Sequence, residues 1–367
     1  MPISFARGAP SLDIVDVDGL KAAAQEAFDN DPGGLTAYGT SVGYVPLRKW
    51  IAEYHGVEPE QVLVTNGSMQ ADAFLFDALV SEGDTVITEL PTYDRTLLSL
   101  RTRGADVRMV ELETDGIDVA ALERVLETVS HPPQPKLAHI IPNFQNPAGY
   151  TLSGPKRERL IELAREHDFM IFEDDPYVML RFSGETLPTM FSMAPDVTVY
   201  ASSFSKTVCP GIRVGYLVGS VELIAGVAKR ATSTYISPNM VAQGIVNQFC
   251  RSGRIDTSIE TVRGALRERA RTLCGALTEH LPDARFLEPQ GGYFLWVDFP
   301  NGTDVAAMFD AAARRGVEFV KGTDFVLEGG ESSLRLAYSG VTPEQIRAGV
   351  ELLAEAYAEV GAPAPAV

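Results

Sequence analysis

The sequence has little cysteine and histidine, and no motif that arranges them for cross-linking or metal binding. Its three cysteines lie far apart without a CxxC pair, and its five histidines form neither HExxH nor HxxxH. Isolated cysteines in odd number are typical of free thiols in a reducing compartment, and we expect all three to be buried. The scattered histidines disfavour a metal hydrolase. The sequence therefore predicts neither a disulfide framework nor a bound metal.

Positive charge and long apolar runs are also scarce. Lysine and arginine total 31 against 49 acidic residues, which gives a formal net charge of −18. This charge disfavours non-specific binding to nucleic acid or to an anionic membrane. No stretch approaches the roughly 18 uninterrupted apolar residues of a membrane-spanning helix, and the first residues lack a secretory signal pattern. We expect a cytoplasmic enzyme that binds small molecules.

Short apolar runs alternate with helical patterns from about residue 45 to residue 220. This alternation predicts an α/β fold whose large domain contains a mostly parallel, seven-stranded sheet. The last strand follows its predecessor after a loop and not after a helix, so it can run antiparallel. The predicted strands are 61–65, 84–89, 106–112, 137–143, 169–174, 197–202 and 215–220.

The pattern changes after about residue 220, where a long helical tract precedes two strands and two helices. This order predicts a smaller α+β domain beside the large one. Helical patterns cover 221–280, 303–315 and 343–359, and strand patterns cover 291–300 and 332–339. The expected division is an N-terminal segment that joins the small domain (1–34), the large domain (35–245) and the C-terminal small domain (246–367).

The first candidate ligand site is the stretch VTNGSMQADAF, in which Gly67 and Ser68 stand between a strand and a helix. A helix N-terminus offers unpaired N–H groups and a positive dipole end, which suit a phosphate. Serine is also a favoured N-cap residue. The motif alone does not decide between a phosphate site and a plain N-cap.

A second candidate is IIPNFQNPAGY, where a strand ends in Asn143 and Asn146 before Pro147. Asn-Pro is a turn signal. The alternative is that a side-chain amide points over the sheet edge and donates a hydrogen bond to a ligand oxygen. Ligands of doubly wound sheets bind at the carboxyl ends of strands, which is where both asparagines fall.

A third strand, in FMIFEDDPYVMLRF, ends in an acidic cluster of Glu173, Asp174 and Asp175, followed by Tyr177. Such a cluster could bind magnesium. It could equally place one buried carboxylate against a cationic nitrogen of a ligand, or simply provide solvated acids at the start of a helix. These alternatives stay open on the residues alone.

The stretch SSFSKTVCPGIRVGY places Lys206 and Arg213 among small and apolar residues. A buried amine has a lowered pKa and can form a Schiff base with an aldehyde. Arginine can bind a phosphate through two hydrogen bonds, and Ser203 and Ser205 stand next to the lysine. The alternative is that both cations lie in an exposed loop.

The same letters also satisfy S-x-x-K, from Ser203 to Lys206, the nucleophile motif of penicillin-recognising enzymes. Ser237 and Asn239 imitate a second element of those enzymes, but no K-T-G follows. S-x-x-K should open a helix, and Pro210 would interrupt it at once. The sequence disfavours this interpretation.

Taken in order, these motifs resemble those of fold-type I pyridoxal-phosphate enzymes. The closest likeness is to class I/II aminotransferases, in the branch of aminoadipate, kynurenine and aromatic or branched-chain aminotransferases. EDDPY, SFSK…PGIRVGY and GGYFLWV occur in the order typical of that family, and the likeness covers nearly the whole chain. The usual N-P-T-G is N-P-A-G here, so a hydroxyl is absent at Ala148.

The resemblance implies pyridoxal 5'-phosphate as cofactor and Lys206 as the catalytic residue, which forms the internal aldimine and moves the Cα proton. It implies that Asp174 pairs with the ring nitrogen and that Arg335 binds the substrate α-carboxylate. The implied cofactor-binding residues are Tyr38, Ser68, Met69 (through its amide), Tyr93, Asn146, Asp174, Tyr177, Ser203, Lys206 and Arg213, and the implied substrate-binding residues are Gly8, Asn146 and Arg335.

The activity that the resemblance implies is transfer of an amino group between an amino acid and a 2-oxo acid. It also implies a homodimer in which Tyr38 reaches the neighbouring subunit's site. Elimination, replacement or cyclisation from the same Cα carbanion is an alternative, as is a ligand-sensing regulator that kept the fold. Arg7 and Arg95 could meet a distal carboxylate, whereas Tyr93 and Tyr235 would suit a bulky side chain, so the substrate stays open.

Overall fold

A computed structural model describes residues 2–129 and 135–361 of the chain. The helices are α1 (Val17–Asn30), α2 (Pro32–Thr36), α3 (Val45–His55), α4 (Ser68–Leu79), α5 (Asp94–Thr102), α6 (Val119–Thr128), α7 (Gly154–Glu166), α8 (Met190–Met193), α9 (Val221–Tyr235), α10 (Met240–Arg251), α11 (Arg254–His280), α12 (Val305–Arg314) and α13 (Pro343–Val360). The strands are β1 (Ile3–Ser4), β2 (Val62–Thr65), β3 (Thr85–Leu90), β4 (Asp106–Glu113), β5 (Gly116–Ile117), β6 (Pro135–Ile140), β7 (Met170–Asp174), β8 (Thr198–Ser203), β9 (Gly215–Val218), β10 (Phe294–Asp298), β11 (Val317–Glu318), β12 (Val320–Lys321) and β13 (Ser333–Ala337).

The central sheet has the strand order β2-β9-β8-β7-β6-β3-β4-β5. Its strands from β8 through β4 pair in parallel, and β9 is antiparallel to both of its neighbours. The predicted α/β class and mostly parallel sheet are therefore confirmed. The predicted number of seven strands is wrong, because β5 adds an eighth, antiparallel to the end of β4. Two residues are too few to show the apolar pattern from which strands are predicted.

Helices cover both faces of the central sheet, which explains why its inner strands read as continuous apolar runs. Every residue of β2 and β8 is buried. Leu63 of β2 packs in one apolar cluster with α4 and α9, whereas its neighbours Val62 and Val64 pack in another with α1, α3 and α10. A third cluster joins α6 and α7 to β3 and β6.

The C-terminal part of the chain forms a small antiparallel sheet in the order β10-β13-β12, packed against α11, α12 and α13. β1 pairs in parallel with β11, and Phe5 is buried in the same cluster. Helix α1 instead packs beside β2 through Ala23 and Ala27. The domain boundaries after residues 34 and 245 stay a prediction, and residues 362–367 of the last domain lie outside the described range.

The cysteines differ in burial. Cys250 is buried within a core cluster, as expected, but Cys209 and Cys274 are partly exposed. The expectation of three buried thiols is therefore wrong for two of them, since Cys209 lies in a loop and Cys274 packs only at the margin of its cluster. Within the described ranges, no helix is long and apolar enough to cross a membrane.

Candidate active site

Six strands of the central sheet end at the same edge, and five of them are followed by a predicted site residue or motif. Because β2, β3, β6, β7 and β8 run in one direction, their carboxyl ends meet there, where ligands of such sheets bind. Strand β9 runs the other way, so its first residue, Gly215, lies at this edge as well. Arg213 precedes that residue by two positions. The topology thus brings Arg213 to the motifs that follow the other strands.

A cavity of about 620 Å³ opens at this edge between the central sheet and the small sheet. Every predicted site residue except one lines it. The excepted residue is Tyr38, which is 88% exposed and lies beside a separate shallow pocket. The predicted residues that line the cavity are Gly8, Ser68, Met69, Tyr93, Asn146, Asp174, Tyr177, Ser203, Lys206, Arg213 and Arg335.

The Lys206 amine lines the cavity and is partly buried there. Its Nζ donates a hydrogen bond of 2.9 Å to the Gly8 carbonyl. The same atom lies 5.4 Å from the Tyr177 ring and 5.1 Å from the Tyr293 ring. Burial, together with the positive charge of Arg335, lowers the pKa of Lys206 to about 8. Near physiological pH the neutral form of this amine is a minority, but it is far more abundant than in an exposed lysine, and only the neutral form attacks an aldehyde.

Asp174, at the end of β7, is 5% exposed. Its Oδ2 lies 3.5 Å from His139 Nε2, and that nitrogen lies 3.4 Å from the Thr96 hydroxyl. Its Oδ1 has no hydrogen-bond partner in the described part of the chain. An unpaired buried carboxylate oxygen is costly unless a ligand donor meets it. Asp174 therefore has an unused acceptor oxygen, and a protonated ring nitrogen needs such an acceptor as its hydrogen-bond partner.

The other two acids of the cluster have different partners. Glu173 accepts hydrogen bonds from the Met190 and Phe191 amides at 2.9 and 2.8 Å. Asp175 accepts a hydrogen bond of 2.8 Å from the Asn143 side-chain amide. The three carboxylates do not converge, and no group of metal-ligating side chains occurs among the residues described. The magnesium alternative thus has no support in the geometry.

A cradle for a phosphate lies at the N-terminus of α4. Gly67 is the N-cap of α4, with φ of +87°, and Ser68 is the first residue of the helix. No described side chain caps this helix, so the interpretation of Ser68 as a plain N-cap is wrong. Arg213 Nη1 donates to Ser205 Oγ at 3.3 Å, and the Ser205 amide donates to Ser203 Oγ at 3.1 Å. A Cβ at Gly67 would lie 2.1 Å from Arg213 Nη2. Because glycine has no Cβ, the Arg213 guanidinium can lie close to the N–H groups and the positive dipole end of the α4 N-terminus.

Arg335 forms a second cationic point across the cavity. Its Nη1 donates to Asn146 Oδ1 at 2.9 Å and its Nη2 to the Ala6 carbonyl at 2.6 Å. Its Cζ lies 4.3 Å from the Phe294 ring and 4.9 Å from the Phe325 ring. Its buried Nε has no partner within the described ranges. A planar guanidinium held in this way suits the carboxylate of a substrate.

The aromatic walls come from loops that follow β3 and β7. Tyr177 is buried, and burial raises its pKa well above the usual value. The Tyr93 hydroxyl donates to Met69 Sδ at 3.8 Å, and burial raises the pKa of Tyr93 to about 12. Both phenols therefore stay protonated at neutral pH. They can pack on a planar ring or donate a hydrogen bond to it.

Two buried titratable residues near Asp174 were missed in the sequence. His139 comes from β6, and no neighbouring residue in LAHIIPN marks it as more than a strand residue. Asp72 comes from α4 and has its carboxyl inside the protein. A signal existed for Asp72, because it is the acid that stands four residues after Ser68 on an otherwise apolar helix face.

The residues present fit pyridoxal phosphate. The cradle at Gly67 and Arg213 suits the phosphate, and the unpaired Asp174 Oδ1 suits the protonated ring nitrogen. Lys206 supplies an amine in the same cavity, and its pKa is lowered to about 8. Arg213, Asp174 and Lys206 line one cavity, and each can bond a different part of the cofactor.

The chain matches the family model "Aminotransferase class I and II" over residues 2–353. It is 32% identical to 2-aminoadipate transaminase of Thermus thermophilus over 96% of this chain and 89% of the relative. It is 30% identical to aromatic-amino-acid aminotransferase 1 of Thermococcus litoralis over 97% and 88%. The crystal structure of an α-aminoadipate aminotransferase from Thermus thermophilus, complexed with N-(5'-phosphopyridoxyl)-L-leucine, is similar with a TM-score of 0.92 and 32% identity, over 98% of this chain and 92% of that one. The resemblance seen in the motifs is confirmed, and the chain belongs to the class I and II aminotransferases, fold-type I enzymes that use pyridoxal phosphate.

Proposed function

We propose that this aminotransferase moves an amino group between an amino acid and a 2-oxo acid, with Lys206 as the catalytic residue. The observation that carries the proposal is the position of the Lys206 amine. It lies in the cavity whose lining also includes Asp174, with its unpaired oxygen, and the guanidinium groups of Arg213 and Arg335. An amine so placed can bind an aldehyde covalently and afterwards take up a proton from the substrate.

The remaining cavity residues hold the cofactor in this proposal. When bound, pyridoxal phosphate withdraws electrons from the substrate Cα and so acidifies its proton. Asp174 accepts a hydrogen bond from the ring nitrogen and keeps it protonated. Asn146 and Tyr177 bond the phenolic oxygen, and Tyr93 packs on the ring. The phosphate contacts come from Ser68, the Met69 amide, Ser203 and Arg213.

Lys206 also moves the proton at Cα. A general base works best when its pKa lies near the working pH, and burial brings the pKa of Lys206 to about 8. The hydrogen bond to the Gly8 carbonyl orients its Nζ within the cavity. Arg335 binds the α-carboxylate of the substrate, and Asn146 fixes the guanidinium through the 2.9 Å hydrogen bond. Arg335 thereby holds the substrate by its carboxylate, and Lys206 is the base that acts on the Cα–H bond.

The proposed enzyme is a homodimer. Tyr38 lies outside the cavity of its own chain and is 88% exposed, in a region that also exposes Ile236 (58%). Exposed and partly exposed apolar residues that lie together, as Tyr38 and Val241 do around one pocket, are typical of an interaction site. We assign Tyr38 to the phosphate of the neighbouring subunit's cofactor.

The free thiols Cys209, Cys250 and Cys274 support a reducing, cytoplasmic setting.

Borohydride trapping tests the assignment of Lys206. The protein is incubated with pyridoxal phosphate, reduced and digested, and the modified lysine is identified by mass spectrometry. We expect the label on Lys206 in the wild type and no label in Lys206→Ala. Lys321→Ala is the matched control, because the Lys321 amine also lies over an aromatic ring, 5.6 Å from Phe309. A label that persists at another lysine in Lys206→Ala would refute the assignment.

A further inference from the structure

Asp72 places a second carboxyl beside the site. It lies on the inner face of α4, four residues after Ser68 and four before Phe76, and is 6% exposed. Its Oδ1 has no hydrogen-bond partner among the residues that the structure describes. A carboxyl in this position has lost its hydration without gaining a side-chain donor. The roles given to the cavity residues above do not use it.

The surroundings of Asp72 combine a few polar groups with an aromatic layer. The titratable groups that face it are Asp174 of β7 and Tyr93 at the start of α5. His139 of β6 contacts Asp174 from another side. Further from the cavity, Phe76 packs against His139 with ring centroids 6.3 Å apart. No lysine or arginine forms an ion pair with Asp72 in the described ranges.

Two carboxyl groups buried close together do not both ionise readily, because the charge of one disfavours the charge of the other. Asp174 is the better place for the single charge, since His139 Nε2 lies 3.5 Å from its Oδ2. The cofactor's ring nitrogen would add a donor at its Oδ1, which has no partner in the described part of the chain. Asp72 has neither kind of partner. The proton of the pair therefore belongs on Asp72.

We propose that Asp72 is a positioning residue that retains its proton at neutral pH and leaves Asp174 as the single anion facing the ring nitrogen; this rests on the proposed function, in which Asp174 pairs with that nitrogen. Burial first, and the charge of Asp174 second, raise the pKa of Asp72 well above its usual value. As a neutral acid, Asp72 does not compete with Asp174 for the proton of the ring. A residue of α4 thus helps to determine how many negative charges lie near the ring nitrogen.

Asp72 should also influence the site in alkaline solution. When Asp72 loses its proton, a second negative charge appears near both Asp174 and Tyr93. Negative charge raises the affinity of neighbouring nitrogens for protons. The absorbance of the bound cofactor should therefore show an additional alkaline change in the wild type, which Asp72→Asn abolishes. A purely structural Asp72 would leave that titration unaltered.

Infrared spectroscopy of the holoenzyme tests the protonation state directly. The protein is labelled with ¹³C at the aspartate side-chain carboxyls, so that glutamates do not contribute to the isotope difference. At neutral pH we expect a component of the protonated-carboxyl band in the wild type that is missing in Asp72→Asn and present in Asp77→Asn; Asp175, whose pKa burial also raises, contributes equally in all three proteins. Asp77 is the matched control, because it lies on the same helix but is exposed and paired with Arg103. Identical carboxyl bands in the wild type and Asp72→Asn would overturn the proposal.

Thermal unfolding gives a second readout that does not depend on the cofactor. An aspartate whose folded pKa is raised makes the folded state less stable as pH rises from about 4 towards that pKa. The Tm of Asp72→Asn relative to the wild type should therefore increase over this range, whereas that of Asp77→Asn should not. A constant Tm difference would contradict the inference. Trapping at Lys206 would still succeed in that case, so failure here is distinguishable from failure of the proposed function.

Discussion

At the scale of single residues, the groups assigned to chemistry differ from structural groups in how completely they are bonded. Arg157 is fully buried, yet it donates to the carbonyls of Leu152 and Pro188 and to Asn143, so its donors are used within the protein. Arg335 is also buried, but its Nε is unpaired within the described ranges. Unused hydrogen-bonding capacity in a buried charged group that also lines the cavity therefore marks a candidate ligand contact.

Lys206 should reveal its lowered pKa when cofactor binds. Because only the neutral amine attacks the aldehyde, the rate at which cofactor-free enzyme captures pyridoxal phosphate should rise with pH and level off above about 8. Stopped-flow absorbance across a range of pH measures this rate. Lys321→Ala should give the same profile as the wild type. A rate that continues to rise up to the pKa of an ordinary lysine, about 10.4, would show that the amine is not desolvated.

Arg335 should control substrate binding. Replacing one partner of a hydrogen-bonded charge pair costs about 2–5 kcal/mol, so Arg335→Gln should raise the KM for the amino acid about thirtyfold or more. The absorbance of the bound cofactor should stay the same. Arg7→Gln, which removes another arginine that lines the cavity, is the matched control. A larger rise in KM for Arg7→Gln than for Arg335→Gln would place the α-carboxylate at Arg7.

At this scale, the sequence alone predicts some of the residues in and around the cavity but not others. Lys206 and Asp174 stand in motifs whose letters and order are specific to the family. Asp72 and His139 stand in ordinary helix and strand patterns, and only the packing of α4 against β6 and β7 brings them near Asp174. Such proximity depends on tertiary structure, which no local pattern encodes.

At the scale of elements, the N-terminus of α4 should be sensitive to a single added methyl group. In Gly67→Ala, the added Cβ would lie 2.1 Å from Arg213 Nη2, so the dissociation constant for pyridoxal phosphate should rise about tenfold or more. Fluorescence titration of the cofactor-free protein measures this constant.

Gly56→Ala is the control for backbone strain. Gly56 also has positive φ, +66°, but a Cβ there meets nothing within 4 Å. It should lower the free energy of unfolding by about 1 kcal/mol and leave cofactor affinity unchanged. Equal loss of affinity in both variants would mean that strain, and not the clash with Arg213, weakens binding.

The elements themselves were predictable wherever burial on both sides makes a strand uniformly apolar. Strand β2 lies within the predicted 61–65, and β7 within 169–174. The apolar pattern predicts this strand at 137–143, whereas β6 begins at Pro135, because proline is a residue that sequence patterns assign to loops. The antiparallel β9 was anticipated from the missing helix before it, since a parallel crossover needs about a dozen residues or more.

At the scale of the whole molecule, the two-subunit site can be tested by mixing inactive variants. Lys206→Ala and Tyr38→Ala are refolded or exchanged together. In the mixed dimer, one site combines Lys206 of one chain with Tyr38 of the other, so that site is intact and activity above that of either variant should appear. Activity assays after exchange measure it. Activity no higher than that of the separate variants would show that Tyr38 does not act across the dimer.

The overall architecture followed from the alternation of strands and helices, whereas the relation of the two sheets did not. Lys206 Nζ and the Gly8 carbonyl are 2.9 Å apart although 198 residues separate them in sequence. Arg335 and Ala6 are likewise joined across almost the whole chain. These contacts close the cavity, and they depend on how the N-terminal segment and the small sheet pack against the central one.

The absorbance of the purified protein with pyridoxal phosphate, before and after single amino acids are added without an oxo acid, tests the central claim most directly. We predict a visible band that fades as the pyridoxamine form appears, with release of the matching 2-oxo acid. Lys206→Ala should lack both the band and the release. Ammonia or an eliminated group released without the pyridoxamine form, or no band even with added cofactor, would contradict an aminotransferase that acts through Lys206.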